Sequence, residues 1–391
     1  MKRPRILLLH WGRNGGGPLI TLELAEALTR YAEVYLSYSK HAELAERLRA
    51  TGLPALPVAT FAQPREAITR GYRLASHSHS LRQYVRVHEI CAVVSTMEQV
   101  WQGMVAPSLY SLPVPYLMSI HDAEFHLGDA SLGARITRAL ELAGADGVLT
   151  YSKQVCEDFI ANYRYDPERV WRTSLGWPRD LGVRPRIRTL PPSGATITVG
   201  FFGRLLPYKG VALAAHAIAQ LVPEFPGLRL EVWGSGSIED LRPWANDPWL
   251  DLHNCWVAEE HVGTVLDRFD LLILPYREAS QSAVVGLGGS LGIPCVSTPV
   301  GALKDQVEQD RIGHVATAPT AAALSQAVRR LITEPGLYQS CSERAVSARG
   351  RSSWDSTAQD VLAAAESLCQ KGRRSPVEKW RELCRLVRVG S

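Results

Sequence analysis

No stretch of the 391-residue sequence sustains the roughly 18 apolar residues that a bilayer-crossing helix requires. Met1-Lys2-Arg3-Pro4 leads straight into a strand-like run, without the apolar core of a secretion signal. A cytoplasmic protein is expected. Cysteine is sparse: Cys91, Cys156, Cys255, Cys295, Cys341, Cys369 and Cys384 are odd in number and never form a CxxC pair, so the pattern points to neither a disulfide framework nor a zinc site. They read as small buried hydrophobes. The formal charge of +4 is too modest for this length to argue for a nucleic-acid partner. Lysine is scarce, seven of the 43 basic residues, so a lysine in a tight loop is less readily incidental surface charge.

What the chain does have is alternation. Its 46% apolar and 21% charged content is that of a soluble globular protein, and its length suits two domains of roughly 150 to 200 residues each. In the amino half, strands are predicted at Arg5 to His10, Val34 to Tyr38, Ala92 to Ser95, Tyr116 to Ile120, Gly147 to Thr150 and Val170 to Leu175, with helices between them, including Pro18 to Tyr31 and Ala42 to Thr51. Residues 178–192 are rich in Arg and Pro and lose periodicity, as an interdomain linker would. A second series has strands at Thr196 to Phe202, Arg229 to Trp233, Leu271 to Leu274 and Cys295 to Ser297. The expected layout is a first domain over 1–178, a linker over 179–194, a second domain over 195–352, and closing helices over 353–391 that pack back on the first domain. Both domains are expected to be α/β and doubly wound, facing each other across a cleft, with ligands at the carboxyl ends of the strands.

Four stretches carry candidate chemistry. In Gly200 to Gly210, GFFGRLLPYKG, a buried strand is followed by the turn residue Gly203 and by two cations, Arg204 and Lys209, before a helix starting near Val211. The planar fork of Arg and the point charge of Lys can close on one anion, although a solvated strand-to-helix turn is the favoured reading of this segment taken alone. Gly12-Arg13-Asn14-Gly15-Gly16-Gly17 can bring backbone N–H groups to an anion, but it lacks the dinucleotide frame, and such turns also use glycine for geometry alone. His121-Asp122, with His126, Gly128 and Asp129 after it, closes a parallel strand where a cleft is expected; a histidine satisfied by local backbone is the alternative. After Leu274 comes Pro275 to Ser282, in which the hydroxyls of Ser280 and Ser282 fit the start of a glycine-rich helix running from Ala283 to Leu291, as caps or beside a phosphate. Gly286, Gly288 and Gly289 weaken that helix by about 1 kcal/mol each, which close approach by a neighbour would explain.

Two further features read as structural. His77-Ser78-His79 has no carboxylate or cysteine partner nearby and is read as surface loop or helix. In the closing helix, Pro376 to Arg388, Val377, Trp380, Leu383, Cys384 and Val387 share one face, with Lys379, Arg381, Arg385 and Arg388 around it. A helix docked on its own protein is favoured over one resting on an anionic membrane, though peripheral membrane contact stays open.

Together these pieces resemble a GT-B glycosyltransferase, and more closely family 4, also called group 1. The similarity is carried by VGFFGRLLPYKG, LEVWGSG, LILPYREASQSAVVGLGGSLGIPCVSTPVGALKD and Gly313, and more weakly by the glycine loop and SIHDAEFHLGD. The resemblance implies transfer of a sugar from a nucleotide diphosphate sugar, a UDP-sugar first among them, to an acceptor hydroxyl with retention at the anomeric carbon, without metal or other cofactor. Carbohydrate, lipid-linked and small-molecule acceptors all fit. It assigns His121, Arg204 and Lys209 to the reacting centre, and Gly16, Gly17, Gly203, Trp256, Val257, Glu278, Ser280, Gln281 and Ser282 to the donor. Acceptor contacts are expected from Asn14, Glu98, Trp101 and Asp122, with Tyr110 and Phe125 nearby. The family's glutamate pair would fall on Ala279 and Leu287, neither of them acidic, so this chain resembles the variant that lacks the pair. Asp305 matches an acidic position of unassigned role.

Two other functions compete. An epimerase of the same fold would act on a nucleotide sugar without an acceptor and would need carboxylates such as Glu98, Asp122 and Glu124 for acid and base work. A catalytically silent nucleotide-sugar-binding partner is suggested by the missing glutamates, and retention of Arg204, Lys209 and His121 argues against it.

Overall fold

In the computed structural model, residues 3–61, 66, 71–125 and 132–389 are described. The chain divides into two compact units, one comprising most of residues 1–175 together with 354–391, the other 176–353.

The first unit is built on a seven-stranded sheet: β1 Arg5–His10, β2 Glu33–Ser39, β3 Ala55–Val58, β4 Ala92–Ser95, β5 Tyr116–Ile120, β6 Gly147–Thr150 and β7 Val170–Arg172. Every pairing is parallel, in the order β3-β2-β1-β4-β5-β6-β7. The second unit carries six parallel strands, β8 Ile197–Phe202, β9 Leu228–Gly234, β10 Leu250–Asn254, β11 Leu271–Leu274, β12 Cys295–Ser297 and β13 Gly313–Val315, in the order β10-β9-β8-β11-β12-β13. The order reverses between β1 and β4 in one sheet and between β8 and β11 in the other. Crevices open at such switch points, beyond the carboxyl ends of the strands.

Six strands, β1, β4, β5, β6, β11 and β12, have the bounds expected from the sequence. Three strands that the periodicity does not announce, β3, β10 and β13, all lie at sheet edges. Edge strands are short and half solvated, so they lack the apolar run that marks a central parallel strand; β3 even contains Pro57, tolerable only at an edge.

The segment read as a linker, 179–194, is part of the second unit. Arg188 is buried there and donates through Nη1 to Phe269 O at 3.0 Å and through Nη2 to Asp267 Oδ1 at 2.6 Å, while its N–H reaches Ser342 Oγ at 2.8 Å. Trp177, just upstream, supplies the neighbour that the helical glycines call for. On helix Ala283–Ser290, a Cβ at Gly286 would lie 2.8 Å, and one at Gly289 2.6 Å, from the Trp177 indole.

The closing helices Trp354–Lys371 and Pro376–Val389 belong to the first unit. Trp354, Ala358, Val361, Ala364, Ala365 and Leu368 enter the core beside Leu24 and Leu28. The last helix does not bury the apolar face that its sequence suggests: its inward positions are Lys379, Leu383 and Leu386, whereas Val377 and Trp380 are 58% and 61% exposed. The reason is Asp146, fully buried beyond helix Leu132–Gly144, which meets Lys379 Nζ at 2.9 Å and rotates the helix to bring it in. The cysteines likewise depart from expectation, since only Cys295 and Cys341 are buried.

Candidate active site

In the second unit the loop after β8 is fixed by backbone geometry. Gly203 (φ +131°) accepts close contact from β9, where a Cβ on Gly234 would stand 1.8 Å from Gly203 O. A 3-10 turn, Pro207–Lys209, ends at Gly210 (φ +65°), whose Cβ would meet Pro275 O at 2.1 Å. Only glycine suits both demands there. Arg277 N–H donates to Tyr208 O at 2.7 Å, so the loops following β8 and β11 are stitched together.

That stitching positions a cation. Lys209 Nζ lies 3.8 Å from the centre of the buried Tyr276 ring and 5.1 Å from that of Tyr208. Tyr276 is itself held, its hydroxyl 3.1 Å from Ser282 Oγ. Ser282 is the N-cap residue of helix Ala283–Ser290, but its hydroxyl does not cap it as the sequence suggests. Instead Gln306, from helix Leu303–Asp310, accepts the Ser282 N–H at 2.8 Å and donates to Ser282 O at 3.3 Å. Arg204 is exposed on the same loop as half-buried Lys209; Ser280 and Glu278 are half-buried and Gln281 is buried. Beyond β10, Trp256 is 49% exposed beside half-buried Val257. Ala279 packs on the core and Leu287 is buried in it, so the two positions that resemble the glutamate sites are apolar in surroundings as well as in type. Asp305 is exposed.

In the first unit helix Gly16–Leu28 begins two residues earlier than expected, which puts Gly16 and Gly17 in its first turn, with Asn14 exposed just before. The preceding loop wraps His10. A Cβ on Gly12 would be 2.3 Å, and one on Gly17 2.2 Å, from His10 Nε2. Burial lowers the His10 pKa to about 4, so the ring under the loop is neutral at pH 7. Trp11 anchors the loop's root, its N–H donating to Gln102 Oε1 at 2.8 Å and its indole Nε1 to Ser37 Oγ at 2.9 Å.

Gln102 leads into a buried polar network. Its Nε2 donates to Ser95 Oγ at 2.9 Å and to Glu141 Oε1 at 3.1 Å, and Tyr116 OH donates to the same carboxylate at 2.5 Å. Beside it Glu98 binds Arg138 Nη2 at 2.6 Å. Burial raises the carboxyl pKa of Glu98, against the pull of Arg138. Burial also pushes Glu141 up to about 7 from the ordinary 4.5, with nearby Glu98 adding to the rise and the Tyr116 and Gln102 bonds opposing it. A folded-state value above the unfolded one means that ionisation opposes folding, so this contribution is fully present below about pH 4.5 and is lost as pH rises through about 7. The stability difference between wild type and Glu141→Gln is expected to shift by about 2–3 kcal/mol in the variant's favour between about pH 5 and pH 8. Urea midpoints measured across that range test this; a pH-independent difference would contradict it.

His121 follows β5, its ring 5.7 Å from that of Tyr151 and its Nδ1 3.9 Å from Asp122 Oδ1. Tyr151 OH donates to Thr96 O at 2.9 Å, which ties the β6 exit to that of β4. Trp101 is half-buried, edge-on to Phe61 at 5.0 Å, and Phe125 is half-buried. Tyr110 does not join them. It ends helix Val100–Leu109, which runs back to the amino end of the sheet, and its hydroxyl donates to Leu140 O. His126, Gly128 and Asp129 lie outside the described residues. His77 is on helix Tyr72–Val87, with Nε2 3.1 Å from Ala59 O. Among the described residues only Glu231, Asp251 and His253 bring ligand atoms within 4.8 Å of one another. Glu231 Oε1 is already engaged by Arg268 Nε at 2.6 Å and Trp233 Nε1 at 2.8 Å, the pattern of an ion-pair network rather than a cation site.

Tyr276, Gln306, His10, Trp11, Gln102 and Glu141 were not singled out from the sequence. Tyr276 had a local signal, its place beside the cation loop's partner strand. For Gln306 and Glu141 none existed, since their partners are 24 and 39 residues away.

Two parallel sheets, each with a reversal of strand order at its middle, define a protein of the GT-B architecture. More particularly, residues 196–334 match the family model "Glycosyl transferases group 1". A D-inositol 3-phosphate glycosyltransferase of Stackebrandtia nassauensis is 26% identical over 297 residues, 68% of this chain and 67% of that one. Among solved structures, Anabaena HepE in complex with UDP and glucose superposes with a TM-score of 0.69 at 16% identity, covering 93% of this chain and 99% of that one. Sucrose-phosphate synthase of Thermosynechococcus elongatus does so with a TM-score of 0.70 at 16% identity, covering 95% and 100%.

Proposed function

We propose that the protein is a retaining, metal-independent glycosyltransferase of the family 4 type, moving a sugar from a UDP-sugar to an acceptor hydroxyl in the cytoplasm. One observation carries the reading: Lys209 is fixed over Tyr276 on the same short loop as Arg204, at the carboxyl ends of β8 and β11 within the matched residues. The difficult step is departure of a nucleoside diphosphate from a developing oxocarbenium ion, and cations fixed where charge accumulates lower that barrier. Two protein cations do what a divalent metal would otherwise do. In the first unit, Gly16 and Gly17 offer first-turn N–H groups to an anion, and His121 with Asp122 orders the reacting sugar. Trp256, half exposed at the end of β10, offers a surface for the base.

The acceptor proposed is a polyhydroxylated molecule, such as the end of a surface polysaccharide or a natural product. Relatives named for D-inositol 3-phosphate fit that class. An epimerase is less well supported, because Glu98 is tied to Arg138 and Glu124 accepts from Asn162 Nδ2 at 2.9 Å, which leaves those carboxylates ill placed as a mobile acid and base.

Calorimetric titration with UDP, GDP, dTDP and CDP in the presence of a chelator tests the donor reading. UDP is expected to bind, with most of that affinity lost in Arg204→Ala; binding by none of the four would bring the silent partner forward. Product formed from a UDP-sugar without any acceptor alcohol would favour the epimerase.

A further inference from the structure

The outward face of the last helix and the cavity at its start point to a second binding surface. We propose that this face docks the protein on an anionic phospholipid membrane, with a lipid phosphate held beside Arg373 and with Val377 and Trp380 entering the interface.

Helix Pro376–Val389 fills its inner face with Lys379, Leu383 and Leu386, so its anchoring to the protein makes no use of Val377, Trp380 or Cys384. Those three recur at i, i+3 and i+7 and form one exposed stripe, with exposed Arg381 beside it. A tryptophan 61% exposed on an ordered helix leaves its large apolar surface in water, a cost that insertion at a bilayer interface relieves. The neighbouring helix Leu132–Gly144, against which the last helix packs, adds exposed Leu132 and Ile136.

The charge around the stripe is predominantly positive. Leaving out Lys379, which is buried against Asp146, residues 371–391 hold six basic and two acidic side chains, a formal +4. Both acids are occupied locally: Glu378 Oε2 accepts the Ser375 N–H at 2.6 Å, and Glu382 pairs with Arg385. One turn before the stripe an open cavity of about 420 Å³ is lined by Tyr110, Ser111, Arg373, Arg374, Ser375 and Pro376. Arg373 is exposed there and braced by one bond, Nη2 to Tyr110 O at 3.0 Å. Arg374 is set by Nη1 to Tyr165 OH at 2.9 Å and by its N–H to Asp146 Oδ1 at 2.7 Å. Two guanidinium groups and two serines suit phosphate oxygens, and an apolar stripe directly alongside suits the acyl region beneath them. A soluble anion would need only the cavity; the stripe is what commits the surface to a lipid.

Flotation of the purified full-length protein with vesicles tests this without reference to transfer activity. Vesicles of phosphatidylcholine with about one third phosphatidylglycerol are expected to carry the protein at low salt, and pure phosphatidylcholine vesicles to carry at least tenfold less. The double variant Val377→Asp/Trp380→Asp should lose at least tenfold in partitioning, and Arg373→Glu severalfold, with UDP titration unchanged in both because none of these residues touches the donor loops. Equal partitioning by wild type and the double variant would overturn the proposal. So would a concentration-dependent dimer abolished by Trp380→Asp, which would give the stripe to a second copy. If UDP fails to bind wild type while vesicles still do, the donor reading falls and the membrane surface stands.

Discussion

Turnover by the Lys209→Ala variant is expected to fall by roughly 10²–10³-fold, the usual loss when one fixed stabiliser of transition-state charge is removed. Lys209 is not a loose surface cation. Gly210 turns the chain where no side chain fits, Arg277 N–H closes on Tyr208 O, and the ammonium is seated 3.8 Å from the Tyr276 ring centre. In the proposed reaction it would be in place before the donor arrives and would need little reorganisation as the leaving diphosphate gains charge. The effect should fall mainly on kcat, with a smaller change in the donor KM, because the interaction strengthens as the bond breaks. Lys209→Arg should restore only part of the rate, since a planar fork cannot occupy the seat of a compact point charge over Tyr276. Arg204→Ala should cost a comparable factor, and the double variant less than the product of the two, as both act on one anion. Steady-state kinetics decide this. A Lys209→Ala enzyme within about threefold of wild-type kcat would remove Lys209 from the reacting centre.

Loss of the buried cation at the other end of the chain should be as severe for stability. Lys379→Ala leaves Asp146 as a buried carboxylate holding only the N–H groups of Tyr116, at 3.0 Å, and Arg374, at 2.7 Å. Breaking a fully buried pair by removing one partner costs about 3–5 kcal/mol. The desolvation that lowers the Lys379 pKa is the same penalty seen from the ammonium. The single variant should show a much lower urea midpoint for the first unit. Lys379→Met combined with Asp146→Asn should recover most of the loss, because an uncharged pair carries no unpaired ion and Asn keeps an acceptor for the Tyr116 or Arg374 N–H. A Lys379→Ala midpoint unchanged from wild type would mean that the helix is held by Leu383 and Leu386 alone.

The sequence by itself determined the two series of central strands and the order of the loops that follow them. Central parallel strands are buried on both faces, so each one is a local apolar run and can be read without knowing its partners. The Gly203 to Gly210 loop was legible for a similar reason, since a glycine turn, an arginine and a lysine within eight residues carry their chemistry locally. Only the tertiary structure decided what these pieces meet. The edge strands β3, β10 and β13 exist because a neighbour offers them a ladder, not because of their own apolar content. Trp177 explains Gly286 and Gly289 from more than a hundred residues away, and Gln306 takes over the capping that Ser282 had seemed equipped to perform. The closing helix makes the contrast plainest. Its apolar stripe pointed to one buried face, yet a lysine is buried and a tryptophan exposed, because Asp146 was waiting in the core for a cation that no local pattern could announce. Periodicity records how each residue would prefer to be solvated; which preference prevails is decided by the charge already buried opposite it.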